Sequence, residues 1–206
     1  MTLDNWKFFV IEFKPDGEGL SHYIDKVFIP ELPTFNIHTA LPELNEFNSH
    51  YILKRKVGSL SGDYYPLDSL ASDAILSLCS ELNVDYFSIP LSIELENKRA
   101  LLKKYNLFYL KKYLSIIDKN KSNYEIDNVV GVSNGSEIDK ENERVYFTRI
   151  DKFVVKNEVH DHFFFCTDIG KPVCSMDFKN LFLSKGLAGL DFIPIDDDYS
   201  YDEWED

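Results

Sequence analysis

The sequence has few of the features that mark secreted, membrane-spanning or nucleic-acid-binding proteins. It contains three cysteines at irregular spacings with no CxxC pair, which favours reduced thiols in a cytoplasmic protein. It offers no apolar run near the roughly 18 residues of a membrane span and no signal-peptide pattern. Lysine and arginine total 22 against 35 acidic residues, a net charge of −13. We therefore expect neither nucleic acid nor a membrane as partner.

Motifs for nucleotides and metals are also missing. The chain contains no GxxxxGK[ST], no GxGxxG after a predicted strand and no HExxH. The closest approach to a metal site is His160 and His162, two apart in "VHDHFFF". We interpret them as exposed residues on one face of a strand, because a catalytic zinc needs a third protein ligand. We expect no cofactor and no metal.

Two cysteines leave an enzymatic alternative open. Cys166 and Cys174 flank the predicted turn "TDIGKP" and could face each other across it. Cys174 also lies just before a predicted helix start, where a thiol pKa is lowered. A small thiol hydrolase using Cys174 or Cys166 with a histidine is therefore one alternative. Because no glycine-rich elbow or protease signature surrounds either residue, buried structural cysteines and a non-enzyme are the preferred interpretation.

What the chain has in quantity is the material of a packed core, with 44% hydrophobic and 15% aromatic residues. Aromatic and β-branched runs predict strands at Trp6–Phe13, His50–Val57 and twice within Arg144–Thr167. The segment "LFYLKKYLSIID" fits a helix or a strand, and we favour a strand. Residues 131–142 read as a polar loop.

A helix–turn–strand pattern occurs twice, as "SDAILSLCSELNVDYFSIPL" and as "CSMDFKNLFLSKGLAGLDFIPI". In each copy a serine, Ser72 or Ser175, is the predicted N-cap. In each copy Asn83 or Gly186 is the predicted left-handed residue past the helix end. The repeat predicts an α+β fold of mostly antiparallel strands with a few helices, and allows two related lobes. We expect one domain over residues 1–195, with lobes 1–96 and 97–195 if it is divided.

Residues 196–206 form a separate acidic tail with seven carboxylates and no basic residue. A block of like charge is normally solvated, but three aromatic rings interrupt this one. Those rings could dock in a basic partner while the carboxylates pair with its cations. The predicted partner-binding residues are Asp196, Asp197, Asp198, Tyr199, Tyr201, Asp202, Glu203, Trp204, Glu205 and Asp206.

A lysine-rich segment with interleaved tyrosines precedes the polar loop. Its basic residues are Lys98, Arg99, Lys103, Lys104, Lys111 and Lys112. We interpret them as a solvated face, since the whole chain is strongly acidic. The alternative is that they pair with the acidic tail within the molecule.

The segment "YFTRIDKFVVKNEVHDHFFFCTDIGKPVCSMDFKNLFLSKGLAGLDFIPI" resembles the C-terminal signature of a family of bacterial polymorphic-toxin immunity proteins, first catalogued as a domain of unknown function. In that signature a helix with a "VS" start precedes a "GLxGxxFxPI" ending. "GDYYPLDSLASDAILSLCSELNVDYFSIPL" and "YLKKYLSIIDKNKSNYEI" are similar to two earlier blocks of the family. The resemblance covers about Leu53 to Ile195.

The resemblance implies a cytoplasmic protein that binds and neutralises one toxin by stoichiometric occlusion, without catalysis. It supplies no catalytic residues, and the shared motif residues look structural. The cognate toxin would carry a basic active-site surface to suit the acidic tail. An acidic nucleic-acid mimic that blocks some other DNA-binding protein is a further alternative.

Overall fold

The computed structural model describes residues 7–14, 26–36, 43–56, 60–98, 100–126 and 147–204. The polar loop predicted at 131–142 lies outside these ranges. The chain is an α+β protein of mostly antiparallel strands with two helices among the described residues, as predicted. No helix within these ranges has the length and apolar character needed to cross a membrane.

Strands or helices occur at each predicted segment, and the structure adds strands that were not predicted. The helices are α1 (Asp73–Glu81) and α2 (Met176–Ser184), with short 3₁₀ turns at Leu44–Glu46 and Pro66–Asp68. The strands are β1 (Phe8–Phe13), β2 (Lys26–Ile29), β3 (Tyr51–Arg55), β4 (Tyr64–Tyr65), β5 (Leu70–Ser72), β6 (Tyr86–Leu95), β7 (Tyr105–Leu110), β8 (Tyr113–Leu114), β9 (Asn123–Ile126), β10 (Phe147–Lys152), β11 (Phe163–Cys166), β12 (Lys171–Ser175), β13 (Leu190–Pro194) and β14 (Tyr201–Asp202). The segment "LFYLKKYLSIID" is extended, as favoured. Among the strands that were not predicted are β2, β4, β5, β12 and β14.

These strands form three sheets. A five-stranded sheet has the order β13-β1-β12-β11-β8, a six-stranded sheet β2-β3-β6-β7-β5-β4, and a three-stranded sheet β14-β10-β9. Only the β3–β6 and β8–β11 pairs are parallel among the described strands. The pairing of β6 with β7 joins residues on either side of position 97, and β1 from the N-terminus lies beside β12 and β13.

The two predicted helix units are confirmed down to their caps. Ser72 and Ser175 are the N-caps, and their side chains accept from the N–H groups of Ile75 and Phe178. Asn83 and Gly186 both have positive φ, 53° and 65°. At each end, hydrogen bonds in a Schellman pattern satisfy the last helical carbonyls, for example Val84 N–H to Cys79 O at 2.9 Å and Leu187 N–H to Phe182 O at 3.2 Å.

The same larger arrangement surrounds both helices. In each unit an antiparallel hairpin leads into the helix, β4–β5 before α1 and β11–β12 before α2. The strand after the helix then returns to the same sheet with one antiparallel strand inserted between, β7 in the first unit and β1 in the second. The inserted strand β7 thus follows its unit in the sequence, whereas β1 precedes its unit by more than 100 residues.

Alternation along the inserted strands divides the buried side chains into layers. Phe9 and Ile11 of β1, with Phe108 and Leu110 of β7, point into a central core that also contains the apolar faces of both helices. The neighbouring residues on these strands point the opposite way. Among the described residues they form a second core between β1 and the three-stranded sheet, and a third behind β7.

Asp63 joins the two units through a buried carboxylate. Its Oδ1 accepts from Ser72 Oγ at 2.8 Å, while Oδ2 accepts from Lys103 Nζ at 2.8 Å and Ala188 N at 2.9 Å. The Asp63 backbone N–H also donates to Ala188 O at 2.7 Å. One side chain therefore ties the cap of α1 to the turn that follows α2.

His162 occupies the corresponding position in the second unit. Asp63 and His162 each precede the first hairpin strand and lie opposite the N-cap serine, whose N–H donates to their backbone oxygen at 2.8 and 2.9 Å respectively. His162 Nδ1 lies 2.9 Å from Ser175 Oγ. Among the described residues, however, its ring makes no hydrogen bond to the first unit. The two residues therefore share one local role, and only Asp63 also joins the units.

We expect Asp63→Ala to lower the free energy of unfolding by about 3 kcal/mol or more. The substitution leaves the Ser72 hydroxyl and the Ala188 N–H without their acceptor and removes the ion pair of Lys103. His162→Ala removes only one local bond and should cost about 1 kcal/mol. Urea unfolding of both variants measures the difference. Equal losses for the two substitutions would contradict the linking role of Asp63.

Two glycines with positive φ should respond differently to an added methyl group. A Cβ on Gly186 would meet nothing within 4 Å, whereas one on Gly189 (φ 99°) would lie 2.9 Å from Gly62 Cα. Gly186→Ala should therefore cost only the backbone strain of about 1 kcal/mol. Gly189→Ala adds a backbone clash and should cost at least about 2 kcal/mol. Thermal unfolding of the two variants tests this prediction. A smaller loss of stability for Gly189→Ala than for Gly186→Ala would contradict it.

Candidate functional site: an acidic groove beside the C-terminal tail

The described part of the acidic tail, residues 196–204, packs on the body of the protein. Its strand β14 pairs with β10, Tyr201 opposite Ile150 and Asp202 opposite Arg149. Tyr199 is half-buried on the second core, with its ring 6.0 Å from that of Phe153. The composition alone favours a solvated tail, and the ring contacts of the two tyrosines with the core place it against the body instead.

A groove of about 1150 Å³ lies between this tail and the five-stranded sheet, and β13, β1, β12 and β11 all contribute lining residues. Ile193 on β13, Phe147 on β10 and the rings of Tyr199 and Tyr201 contribute apolar surface. The carboxylates that line the groove belong to Glu12, Asp168, Asp196, Asp198, Asp202 and Glu203. The groove therefore combines an apolar floor with a strongly negative lining.

Two of these carboxylates are occupied within the fold. Asp168 is buried, and its Oδ2 accepts from the N–H groups of Ile116 at 2.6 Å and Ile117 at 2.9 Å. Glu12 is paired with Lys171, the one basic residue among the described groove-lining residues, at 3.0 Å. These two carboxylates shape the groove and are less available to a partner.

No tail carboxylate forms an ion pair with a lysine or arginine in the described part of the chain, although Asp151 and, more weakly, Asp202 across the strands raise the pKa of Arg149. Asp196 and Asp202 accept the backbone N–H of the second residue after them, at 3.0 and 2.9 Å, but no described lysine or arginine forms an ion pair with the tail. Even Arg149, opposite Asp202 in the strand register, has its Nε on Asp151 at 2.7 Å. Their negative charge therefore remains open to a partner.

The tail's aromatic residues are used unequally. Burial raises the pKa of the Tyr199 hydroxyl, helped by the nearby Cys166 and Glu12, and burial together with Glu203 and Asp202 raises that of Tyr201. Both hydroxyls therefore stay neutral at physiological pH. Trp204, in contrast, is 82% exposed. Of the three rings predicted to meet a partner, only this one is fully open to solvent.

The groove gathers six of the ten predicted partner-binding residues: Asp196, Asp198, Tyr199, Tyr201, Asp202 and Glu203. Asp197 lies in a smaller depression near Lys7, and Glu205 and Asp206 are outside the described ranges. Sequence reasoning missed Glu12 and Ile193, which come from β1 and β13. A polar residue near the end of an otherwise apolar strand was the one available signal for Glu12.

The alternative that the tail folds onto the lysine-rich segment is wrong for the described residues. Lys103 pairs with Asp63, Lys111 with Asp85 at 3.0 Å and Lys112 with Asp161. Three of the six basic residues of this segment are thus paired with carboxylates of the folded body.

The alternative in which Cys166 and Cys174 face each other across the turn is also wrong. In the β11–β12 hairpin Cys166 lies opposite Lys171, and Cys174 lies opposite Phe163. The turn is shorter than the spacing of the two cysteines, so they are out of register. Both thiols are free and buried, as is that of Cys79. Among the described residues no thiol hydrogen-bonds to a histidine.

The two histidines do not share a face of a strand, contrary to the prediction. Strand β11 begins at Phe163, so both precede it. His160 is exposed, while His162 is half-buried on the helix cap. In the described ranges no group of three His, Cys, Asp or Glu side chains is placed to hold a metal ion.

Comparison with known proteins gives no match: no family model fits the chain, and no curated protein resembles it. The resemblance to immunity proteins stays a prediction.

All three thiols should react slowly in the folded protein. Burial raises the pKa of Cys79, Cys166 and Cys174 above the ordinary thiol value, so less thiolate is present at pH 8. We expect alkylation by iodoacetamide to be at least about tenfold slower than in urea. One thiol that reacts quickly in the native protein would contradict this and favour the hydrolase.

Proposed function

We propose that this protein is a cytoplasmic immunity protein that neutralises a cognate bacterial toxin by stoichiometric binding, with no cofactor and no chemical step. Three observations support the proposal: the resemblance across Leu53–Ile195, the free buried thiols and the acidic groove. The groove carries the most weight, because it is the feature that suits a partner of definite chemistry.

The groove suits a partner because it is already in place. The tail is held in place by β14 and by its tyrosines, so binding does not incur the entropy cost of ordering it. Its unpaired carboxylates give a local negative potential that speeds encounter with a basic surface. Trp204 adds an exposed ring of the kind that often anchors an interface.

The partner surface that complements this groove is cationic. Toxins that cleave or modify nucleic acids carry lysine and arginine where phosphates bind. Carboxylates in the groove would replace the phosphates and cover the toxin's active site. The thiol-hydrolase alternative has less support, since burial keeps all three thiols from solvent and raises their pKa.

The test is co-expression with the product of the neighbouring reading frame, which the proposal predicts to be a toxin. We expect growth to be rescued and a complex of fixed stoichiometry to be recovered by size-exclusion chromatography. Toxin activity should fall in proportion to the added protein and reach zero at that same ratio. Inhibition at substoichiometric amounts, or failure to bind the toxin at all, would overturn the proposal.

Neutralising the tail should weaken the complex without unfolding the protein. The triple variant Asp198→Asn, Asp202→Asn and Glu203→Gln keeps side-chain size, and an asparagine Oδ1 at position 202 can still accept from the Trp204 N–H. We expect at least about tenfold weaker binding of the toxin at low salt, mainly through slower association, with the difference shrinking as salt rises.

The matched control is the triple variant Glu81→Gln, Asp85→Asn and Glu94→Gln, which removes three charges outside the groove. These three carboxylates are exposed, and each is paired with a lysine. The toxin affinity of this control should stay within about twofold of the unaltered protein. If the control weakens binding as much as the tail variant does, total charge rather than the groove governs association.

A further inference from the structure

The groove is bordered by two strands that lie at sheet edges. β13 is the outer strand of the five-stranded sheet and β14 the outer strand of the three-stranded sheet, and residues of both line the groove. An edge strand presents backbone N–H and C=O groups that can pair with another chain. The groove therefore offers backbone hydrogen bonds as well as charge.

The two edges differ in their capacity to accept a strand. Ile195 N–H donates to Phe8 O at 3.0 Å, so alternation directs the Pro194 backbone outward. Proline has no N–H to offer there, which weakens this end of β13 as a template. On β14, Glu203 N–H donates to Thr148 O at 3.0 Å, so the N–H and C=O of Asp202 point away from β10.

The side chains along β14 also alternate between the two faces of the strand, and the two faces differ in polarity. Tyr201 turns toward the second core and the apolar floor of the groove. Asp202 points away from the second core, since neighbouring side chains on a strand alternate, and still lines the groove at its rim. Ile193, 38% exposed across the groove, extends the apolar side. A strand added here would meet apolar surface on one face and the Asp202 carboxylate, with Arg149 opposite it in the register, on the other.

We propose that the groove takes one extended segment of its protein partner, with alternating apolar and basic residues, added as a strand along the free edge of β14. This inference rests on the proposed function for the identity of the partner, but its binding chemistry stands on the groove alone. The volume of about 1150 Å³ exceeds the roughly 300–1,000 Å³ of common small-molecule sites and suits a short peptide. Main-chain bonds would provide affinity, and the carboxylates would select arginine or lysine.

The probe is an eight-residue peptide of alternating arginine and valine, blocked at both ends. We expect ¹⁵N NMR shifts centred on Ile193 and Asp202. A version N-methylated on alternate residues keeps every charge but loses the strand hydrogen bonds, and should bind at least tenfold more weakly. An N-methylated peptide that binds as well as its parent would overturn strand addition.

A charge-reversal pair locates the site. Asp202→Lys should weaken the peptide at least tenfold, whereas Glu94→Lys, the same charge change on the exposed face of β6, should change affinity less than twofold. The inference would be overturned if Asp202→Lys left peptide affinity unchanged, or if the peptide-induced NMR shifts were confined to other surfaces.

The toxin separates this inference from the proposed function. If the neighbouring toxin is neutralised and Asp202→Lys and excess peptide leave the complex unchanged, the strand-addition inference fails and the immunity function stands. If the peptide binds at β14 and no neighbouring toxin is neutralised, the function fails and the groove remains a site for basic extended segments.

Discussion

The buried carboxylate of Asp63 is the interaction on which the relation between the two helix units depends. A carboxylate removed from water must be matched by donors, and those of Asp63 come from the α1 cap, Lys103 and Ala188. Each donor belongs to a different segment, so the charge is satisfied only when all three are in place. Strand β13 begins two residues after Ala188. Asp63 thus fixes the turn that precedes β13, and the pairing of β13 with β1 then places Ile193 at the groove.

The helix units could be predicted from sequence because their determinants are local. A cap serine, an apolar face and a left-handed terminator lie within a dozen residues. The strand inserted beside each unit could not be predicted, because an antiparallel partner is chosen by long-range packing. β1 lies more than 150 residues from β12 in the sequence, and nothing in "FFVIEF" specifies which strand it pairs with. The equivalence of Asp63 and His162 also escapes the sequence, since it depends on hairpin register.

The site was half predictable for a related reason. The tail's carboxylates are evident from composition, and six of the predicted residues do line one groove. Composition also suggests that such a run stays solvated. Tyr199 and Tyr201, two apart, fit one face of a strand, and this spacing is the signal for docking on the core. The opposite wall could not be predicted, because Glu12 and Ile193 reach the groove only through the pairing of β1 with β13.

Holding the tail in place concentrates negative charge that no ion pair with a described lysine or arginine neutralises. Packing of Tyr199 and Tyr201 on the second core offsets the repulsion among Asp196, Asp198, Asp202 and Glu203. Salt acts on the two halves of this balance in opposite directions. Screening lowers the repulsion and so favours the docked tail, but it also weakens attraction to a cationic partner. A basic segment bound in the groove would also lower the repulsion among these carboxylates, and it would add contacts of its own. Binding would therefore relieve an electrostatic repulsion that destabilises the free protein. This relief would favour the complex and gives a physical reason for an acidic groove on a protein that binds a basic partner.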